Sequence, residues 1–316
     1  MLEHNSSAPT GKRTRKSTMP EIPCRCLALV ACDWKRQGAS DRTLSDSELK
    51  SKRKRNQKIE TGFAPHFAKI VRIASDHGAD TILFSPWSHT VTKARDELRH
   101  ADLFPKGTKH QAVILGVRRR NNAKKAKNKY LETIEVHTRS KQRSYPIFQQ
   151  FSTTRDKKQR KRDKKQCKEE DFMDDLRNRR CGKVTAFICG ETNIVSVKRA
   201  KSKGGHHVVV DKRNVRALLD ANGVRVVLNP VHDYMTWKMK PKRAALSSEK
   251  RTVVSVWNRG YKKREAKIPW TVYWGDKTAD WRDQDASPEV EELPDVCTWP
   301  VSPDEPGVRI GILKLR

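Results

Sequence analysis

The sequence lacks the features that would assign it to a membrane or to the secreted class. No apolar run approaches the roughly 20 residues that a membrane-spanning helix needs, and the polar, basic start has no apolar stretch typical of a signal peptide. The 7 cysteines are an odd number at irregular spacings, so they indicate no disulfide framework. We therefore expect a soluble protein of the reducing cytoplasm with no membrane partner.

Acidic residues are scarce relative to basic ones. The chain has 37 Asp and Glu against 68 Lys and Arg, which gives a formal net charge of +31 at pH 7. A charge this large favours a polyanionic partner, and nucleic acid or a nucleoprotein is the first candidate. The alternative is a basic face that is only solvated, since net charge indicates partners and not fold.

The basic excess is concentrated between residues 118 and 168, which we interpret as a basic insertion. Within it, eight of the eleven residues from 155 to 165 are Lys or Arg. Such runs bind phosphate backbones without sequence preference, whereas the scarcity of aromatic residues from 152 to 171 gives no support to base stacking. A solvated loop is the alternative. The predicted nucleic-acid contacts are Lys157, Lys158, Arg160, Lys161, Arg162, Lys164 and Lys165.

Spacings typical of a metal site are also missing. Imidazoles and carboxylates that could bind a metal occur in no tight ligand motif; they are His206, His207, His232, Asp233 and Asp33. The pair Cys24-x-Cys26 lacks the second pair of a zinc ribbon. We expect no metal and no cofactor.

What the chain does contain is an alternation of strand and helix patterns. Residues 1–22 are polar and basic and are predicted to form a flexible arm, and residues 23–316 to form a single domain. The apolar run Cys24–Cys32 predicts a first buried strand. Further strands are predicted at residues 81–84, 111–117, 130–137, 183–189, 208–210, 224–228, 252–257, 270–274 and 308–315.

Two helices are predicted between these strands. Apolar residues recur at helical spacing in Phe63, Phe67, Ile70, Val71 and Ala74, and the pattern ends at His77-Gly78, where glycine suits a left-handed cap. A second helix is predicted at residues 215–221. No repeat is visible, and the alternation favours one α/β domain.

Five sequence blocks, in this order, resemble the carbon-nitrogen hydrolase (nitrilase) superfamily. Two are specific: HGADTILFSP (77–86) is similar to the family's GAD strand, which ends in Phe-Pro-Glu, and GKVTAFICGE (182–191) to its nucleophile strand, which ends in Ile-Cys-x-Glu. Weaker similarity is found in VRALLDANGVRVVLNP (215–230), VVSVWNRG (253–260) and VRIGILKL (308–315). The resemblance covers roughly residues 24–315. It implies a four-layer α-β-β-α sandwich, and it allows a homodimer because dimers are common in the family.

The resemblance assigns Cys189 as the nucleophile. A cysteine at the end of a rigid strand can attack an amide or nitrile carbon while the following backbone amides stabilise the oxyanion. Gly190 would allow close approach of substrate, and Glu191 matches an acidic residue that organises the family's site. The alternative is an inert cysteine that packs as a small hydrophobe.

The other two members of the family's catalytic set match less well. Lys141 follows a predicted strand, as the family lysine does, although neighbouring basic residues could be matched instead. Trp87 stands where the general base Glu is expected after Pro86, and His89 is a nearby group that could titrate. The predicted pocket residues are Trp87, His89, Gly190, Asn229 and Asn258.

Two functions follow as hypotheses. One is a hydrolase of non-peptide C–N bonds that acts on a small amide or nitrile through a Cys189 thioester. The other is a catalytically altered or inactive nitrilase-like domain that binds nucleic acid or a nucleoprotein complex; the missing Glu and the positive charge support it.

Overall fold

The computed structural model describes residues 19–33, 47, 66–86, 88–91, 97–120, 130–148, 169–199, 207–231, 239–257, 269–275, 290–293 and 307–315. These residues form a mixed α/β structure with two main sheets, which confirms the α/β class. None of the helices they form is long and apolar enough to cross a membrane.

The large sheet is built from both halves of the chain. Its strands are β1 (Cys26–Asp33), β2 (Thr81–Phe84), β3 (His89–Val91), β4 (Ala112–Arg120), β5 (Tyr130–Thr138), β6 (Lys141–Phe148), β13 (Val290–Glu292) and β14 (Gly307–Lys314). Their order is β13-β14-β1-β2-β4-β5-β6, with β3 beside β4. β1, β2 and β4 are parallel, whereas β4, β5 and β6 form an antiparallel meander.

The second sheet lies in the C-terminal half. Its strands are β7 (Val184–Ala186), β10 (Val226–Val231), β11 (Thr252–Trp257) and β12 (Trp270–Tyr273), in the order β12-β11-β10-β7. β7, β10 and β11 are parallel and β12 is antiparallel. A separate hairpin joins β8 (Ser196–Arg199) to β9 (His207–Val210).

Five α-helices and one 3₁₀ helix occur in the described part of the chain. They are α1 (Phe67–Asp76), α2 (His100–Leu103), α3 (Glu169–Asn178), the 3₁₀ helix Cys189–Ile194, α4 (Val215–Ala221) and α5 (Lys240–Leu246). α1, α4 and α5 each precede a parallel strand, because a parallel pair needs a crossover connection.

The two sheets share one core, and helices cover their outer faces. Leu29 and Leu83 of the large sheet pack in the same buried cluster as Leu228 and Val254 of the second sheet. Beyond the large sheet, α1 buries Phe67 among a second set of apolar side chains. Beyond the second sheet, helix residues fill a third cluster; these are Phe172, Leu176, Val215, Leu219 and Leu246.

Local signals predicted several elements well. Phe67, Ile70, Val71 and Ala74 are buried in α1 as the spacing predicts, and Gly78 has φ +82° just after it, a conformation that favours glycine. Strand 81–84, helix 215–221 and strand 252–257 have the predicted bounds. Of the predicted arm, residues 1–18 lie outside the described residues, whereas Ile22 is buried in the core that the sheets share.

One predicted strand is shorter than expected. The expected strand at 183–189 ends at Ala186, and Cys189 instead opens the 3₁₀ helix. The physical reason is that the amide of Ile188 donates to the buried side chain of Glu191 instead of to a neighbouring strand.

Candidate active site

Cys189 lies where the chain turns sharply after β7. Phe187 still donates its backbone N–H to Leu228 of β10, at 2.8 Å. Two residues later, Cys189 has φ +35°, a left-handed value that is uncommon for a residue with a side chain. Such conformations persist only where the surroundings enforce them, and they cluster at functional sites. The thiol is half-buried at this bend.

Glu191 fixes the bend through the hydrogen bonds of its buried carboxylate. Its Oε2 accepts from the backbone N–H of Ile188 at 2.7 Å and from Nη1 of Arg179 at 2.7 Å. The side chains of Glu191 and Arg179 are 0% and 1% exposed. Both hydrogen bonds use the same carboxylate oxygen, so Glu191 is engaged in fixing the backbone next to Cys189.

Arg179 connects this carboxylate to neighbouring elements. Its guanidinium donates to Asp175 of α3 (Nε to Oδ2, 2.9 Å) and to the carbonyl oxygens of Ala186 and Phe148, each at 3.3 Å. Burial acts to lower the pKa of Arg179, but the carboxylates of Glu191 and Asp175 raise it, and the net change is a rise. Arg179 therefore stays charged at the junction of α3, β6, β7 and the 3₁₀ helix.

Apolar residues pack against Cys189 at the ends of two strands. Val231 and Trp257, the last residues of β10 and β11, form a buried pair, and Cys189 and Met239 pack against it. The thiol thus sits at the carboxyl ends of the parallel strands, the edge at which open α/β sheets commonly bind ligands.

Two cations of α5 approach the 3₁₀ helix. Nη2 of Arg243 lies 3.4 Å from the carbonyl oxygen of Cys189, and its Nη1 donates to the carbonyl of Met239 at 3.0 Å. Lys242 donates through Nζ to the side-chain oxygen of Asn193, whose amide donates to the carbonyl of Gly190 at 2.7 Å. Burial, with Arg243 as a second cause, lowers the pKa of Lys242.

Asn229 joins the strands beneath the site. Its amide nitrogen donates to the carbonyl of Phe187 at 2.6 Å, and its side-chain oxygen accepts from the hydroxyl of Ser255 at 3.3 Å. Asn229 is 0% exposed. This predicted pocket residue therefore supports the end of β7 from within the sheet.

Lys141 lies at the far end of β6. It is exposed at the first position of the strand, opposite Thr138. Phe148, at the other end of β6, is the residue whose carbonyl approaches Arg179. Seven steps along a strand span about 23 Å. The structure therefore does not bring Lys141 to Cys189, and the cations that it does bring there are on α5.

Of the remaining predicted residues, His89 lies against α1, Gly190 lies next to Cys189, and the others are outside the described residues. His89 is buried with its ring edge-on to Phe67 of α1, 6.1 Å between centroids, which places it in the helix-covered layer of the large sheet. Gly190 follows Cys189 in the 3₁₀ helix. Outside the described residues lie Trp87, Asn258, Lys157, Lys158, Arg160, Lys161, Arg162, Lys164 and Lys165. Among the residues described, no group of three or more His, Cys, Asp or Glu could hold a metal ion.

Sequence reasoning missed Arg179 and Arg243. The helices beside these two arginines do have sequence signals. Phe172 and Leu176 are four residues apart in α3, and Pro241 lies in the first turn of α5, where proline is favoured. Neither signal says which arginine of this basic chain becomes buried.

Comparisons with known proteins give distant structural neighbours only. No family model matches the chain, and no curated protein does. Among solved structures, an amidase from Nesterenkonia sp. aligns over 97% of this chain and 94% of its own, with 14% identity and a TM-score of 0.36. The NitN amidase from Neterenkonia sp. AN1 aligns over 90% and 91%, with 14% identity and a TM-score of 0.35. An N-terminal amidase aligns over 70% of this chain and 52% of its own, with 13% identity and a TM-score of 0.32. The chain is similar to these amidases only at this level.

Proposed function

We propose that the protein is a cysteine-dependent hydrolase of non-peptide C–N bonds, of amidase or nitrilase type, built on a nitrilase-like α-β-β-α sandwich. The observation that carries the proposal is the conformation of Cys189. The residue has φ +35° and a half-buried thiol at the carboxyl ends of parallel strands. A structural cysteine has no need of a strained backbone, whereas a nucleophile that must project from a sheet edge does.

The chemistry follows the thioester route. The Cys189 sulfur forms a bond to the carbonyl carbon of an amide, and the C–N bond breaks as the thiol proton passes to the leaving nitrogen. Water then adds to the thioester, releases the acid and returns the proton to sulfur. A nitrile would enter the same route through a thioimidate.

Glu191 is not the base in this scheme. Its Oε2 already accepts from Arg179 and from the Ile188 backbone N–H, and the side chain has no exposure. Its role is to position Cys189. The family base would follow Pro86, where this sequence has Trp87.

The test is trapping of the acyl-enzyme at Cys189. The full chain is incubated with a panel of small primary amides and nitriles, product ammonia is measured, and modified cysteines are identified by peptide mass spectrometry. We expect turnover and modification of Cys189 in the wild type and in Cys26→Ala, which changes another half-buried thiol, and loss of both in Cys189→Ala. Turnover that survives in Cys189→Ala would reject the assignment.

A second function, binding of nucleic acid by a catalytically altered domain, is supported by the charge of +31. It predicts a salt-dependent gel shift whose log-log slope becomes less steep when residues 155–165 are deleted. An unchanged slope would remove this segment from the interface.

A further inference from the structure

Arg243 is a buried charge that has no acidic partner among the residues that the structure describes. The residue lies on α5 with 1% exposure, and its Nη2 is 3.4 Å from the carbonyl oxygen of Cys189. Among the residues described here, no carboxylate forms an ion pair with Arg243; Nη1 and Nη2 donate to carbonyl oxygens, and Nε is buried without a hydrogen bond. An unpaired guanidinium in the interior is destabilising. A negative charge nearby would offset this cost.

The groups that could supply this negative charge are few. Tyr273 of β12 lies near Arg243, but burial raises the pKa of its phenol to about 12 even though Arg243 acts to lower it, so it stays neutral at neutral pH. Glu191 is already paired with Arg179. Lys242 is a second cation on the same helix turn and repels Arg243.

Within the part of the chain that the structure describes, Cys189 is the remaining ionisable neighbour, and its carbonyl oxygen lies 3.4 Å from Nη2 of Arg243. Burial lowers the pKa of Arg243 to about 10, while Cys189, and to a smaller extent Tyr273, raise it. Opposite charges attract each other. Among the described residues, a buried cation without an anionic partner thus lies next to a residue whose thiol can become an anion.

We propose that Arg243 is the group that stabilises the Cys189 thiolate, the role that a general base would otherwise serve in this chain. The proposal rests on Cys189 as the reactive thiol of the proposed function. It accounts for ionisation of the thiol in a chain that has Trp87 at the position of the family Glu, since a fixed positive charge raises the thiolate fraction without accepting a proton. The thiol proton then passes to solvent before attack, and water returns it to the leaving nitrogen.

The proposal is tested through the charge of the alkylating reagent. Iodoacetate is an anion and iodoacetamide is neutral, so the ratio of their rates at one cysteine reports the local electrostatic field, and the pH profile reports the thiolate fraction. Rates are followed on the full chain at the Cys189 peptide by mass spectrometry, with the Cys26 peptide as internal control. The variants are Arg243→Met, Arg243→Gln, Arg243→Lys and Lys242→Met.

Loss of the guanidinium should slow the reaction of Cys189 selectively. A neighbouring opposite charge changes the ionised fraction of an acid by about tenfold or more, so we expect Arg243→Met and Arg243→Gln to slow Cys189 alkylation at pH 7 by about tenfold. The iodoacetate-to-iodoacetamide ratio should also fall. Arg243→Lys should retain most of both, and Cys26 should not change. Arg243→Gln keeps a hydrogen-bond donor, so it carries the test if Arg243→Met does not fold.

Two results would overturn the proposal. One is an unchanged rate and ratio at Cys189 in both uncharged variants; the other is a loss in Lys242→Met as large as in Arg243→Met. Failure of the proposed function is distinguishable, because an Arg243-dependent thiolate that yields no acyl-enzyme with any amide or nitrile would reject the hydrolase and leave this proposal standing.

Discussion

Arg179 and Glu191 form an ion pair that is closed off from solvent, with Nη1 of the guanidinium 2.7 Å from Oε2 of the carboxylate. The same carboxylate oxygen accepts from the backbone N–H of Ile188. The pair therefore links the end of α3 to the backbone that places Cys189. Because both charges are desolvated, loss of Arg179 leaves Glu191 without this cation, whereas loss of Glu191 leaves Arg179 with Asp175 alone.

Replacement of Glu191 by alanine should destabilise the protein strongly. Breaking a buried ion pair typically costs about 3–5 kcal/mol when one charge is left unpaired. Arg179 keeps Asp175 after loss of Glu191, whereas the Ile188 N–H loses its acceptor, so the expected cost is about 2–3 kcal/mol. We expect a reduction of this size in the free energy of unfolding, measured by chemical denaturation, together with loss of the selective reactivity of Cys189. Glu191→Gln, which keeps an acceptor for the Ile188 N–H, should be less destabilised than Glu191→Ala.

A double variant provides the control for this prediction. Arg179→Met/Glu191→Leu removes both charges, so it should be less destabilised than the sum of the two single changes. A Glu191→Ala variant within about 1 kcal/mol of the wild type would contradict the structural role of the pair.

Replacement of Gly116 by alanine is predicted to destabilise the protein, because even a methyl group does not fit there. A Cβ at this position would lie 2.4 Å from the Cα of Pro86, and backbone at this distance cannot yield cheaply. Gly116→Ala should therefore reduce the free energy of unfolding by about 1–3 kcal/mol or more through overpacking. Thermal or chemical unfolding of the purified variant measures it.

The matched control for Gly116 is Gly78. A Cβ there would meet nothing within 4 Å, but the residue has φ +82°. Gly78→Ala should thus cost only the conformational term of about 1–2 kcal/mol, and Gly78→Asn less, since asparagine tolerates left-handed backbone. Equal losses in Gly116→Ala and Gly78→Asn would contradict the close approach of β4 to Pro86.

The sequence predicted those elements whose signals are local. The helix at Phe67–Asp76 and the strand at Thr81–Phe84 follow from apolar spacing and from a glycine at the helix end. β6 escaped detection because Lys141 and Arg143 interrupt its apolar pattern and Pro146 argues against a central strand. As the last strand of the large sheet, β6 tolerates this proline, since edge positions need not donate on their free side.

The sequence predicted only part of the site, because the charged residues near Cys189 come together through tertiary contacts. The position of Cys189 follows from the motif around it, but its backbone conformation depends on Glu191, whose partner Arg179 lies 12 residues earlier. Arg243 reaches Cys189 across 54 residues. With 68 basic residues in the chain, nothing local distinguishes these two arginines. Lys141, chosen by its order in the chain, lies at the first position of β6, at the opposite end from Phe148.

His110 should make the stability of the protein depend on pH. The ring is 0% exposed and Nε2 lies 2.8 Å from the carbonyl oxygen of Leu103. Burial lowers the pKa of His110 from 6.5 to about 4, against the opposing effect of the Leu103 hydrogen bond. Between these two values the unfolded chain binds a proton that the folded protein excludes, so the free energy of unfolding is highest above pH 6.5 and decreases as the pH falls toward 4. At roughly 1.4 kcal/mol per pH unit, the contribution lost reaches about 3 kcal/mol.

Chemical denaturation at pH 7.5 and pH 4.5 measures the loss, and His110→Gln, which does not titrate, should lose less between these two values than the wild type. Equal losses in the two proteins would mean that His110 is protonated within the fold.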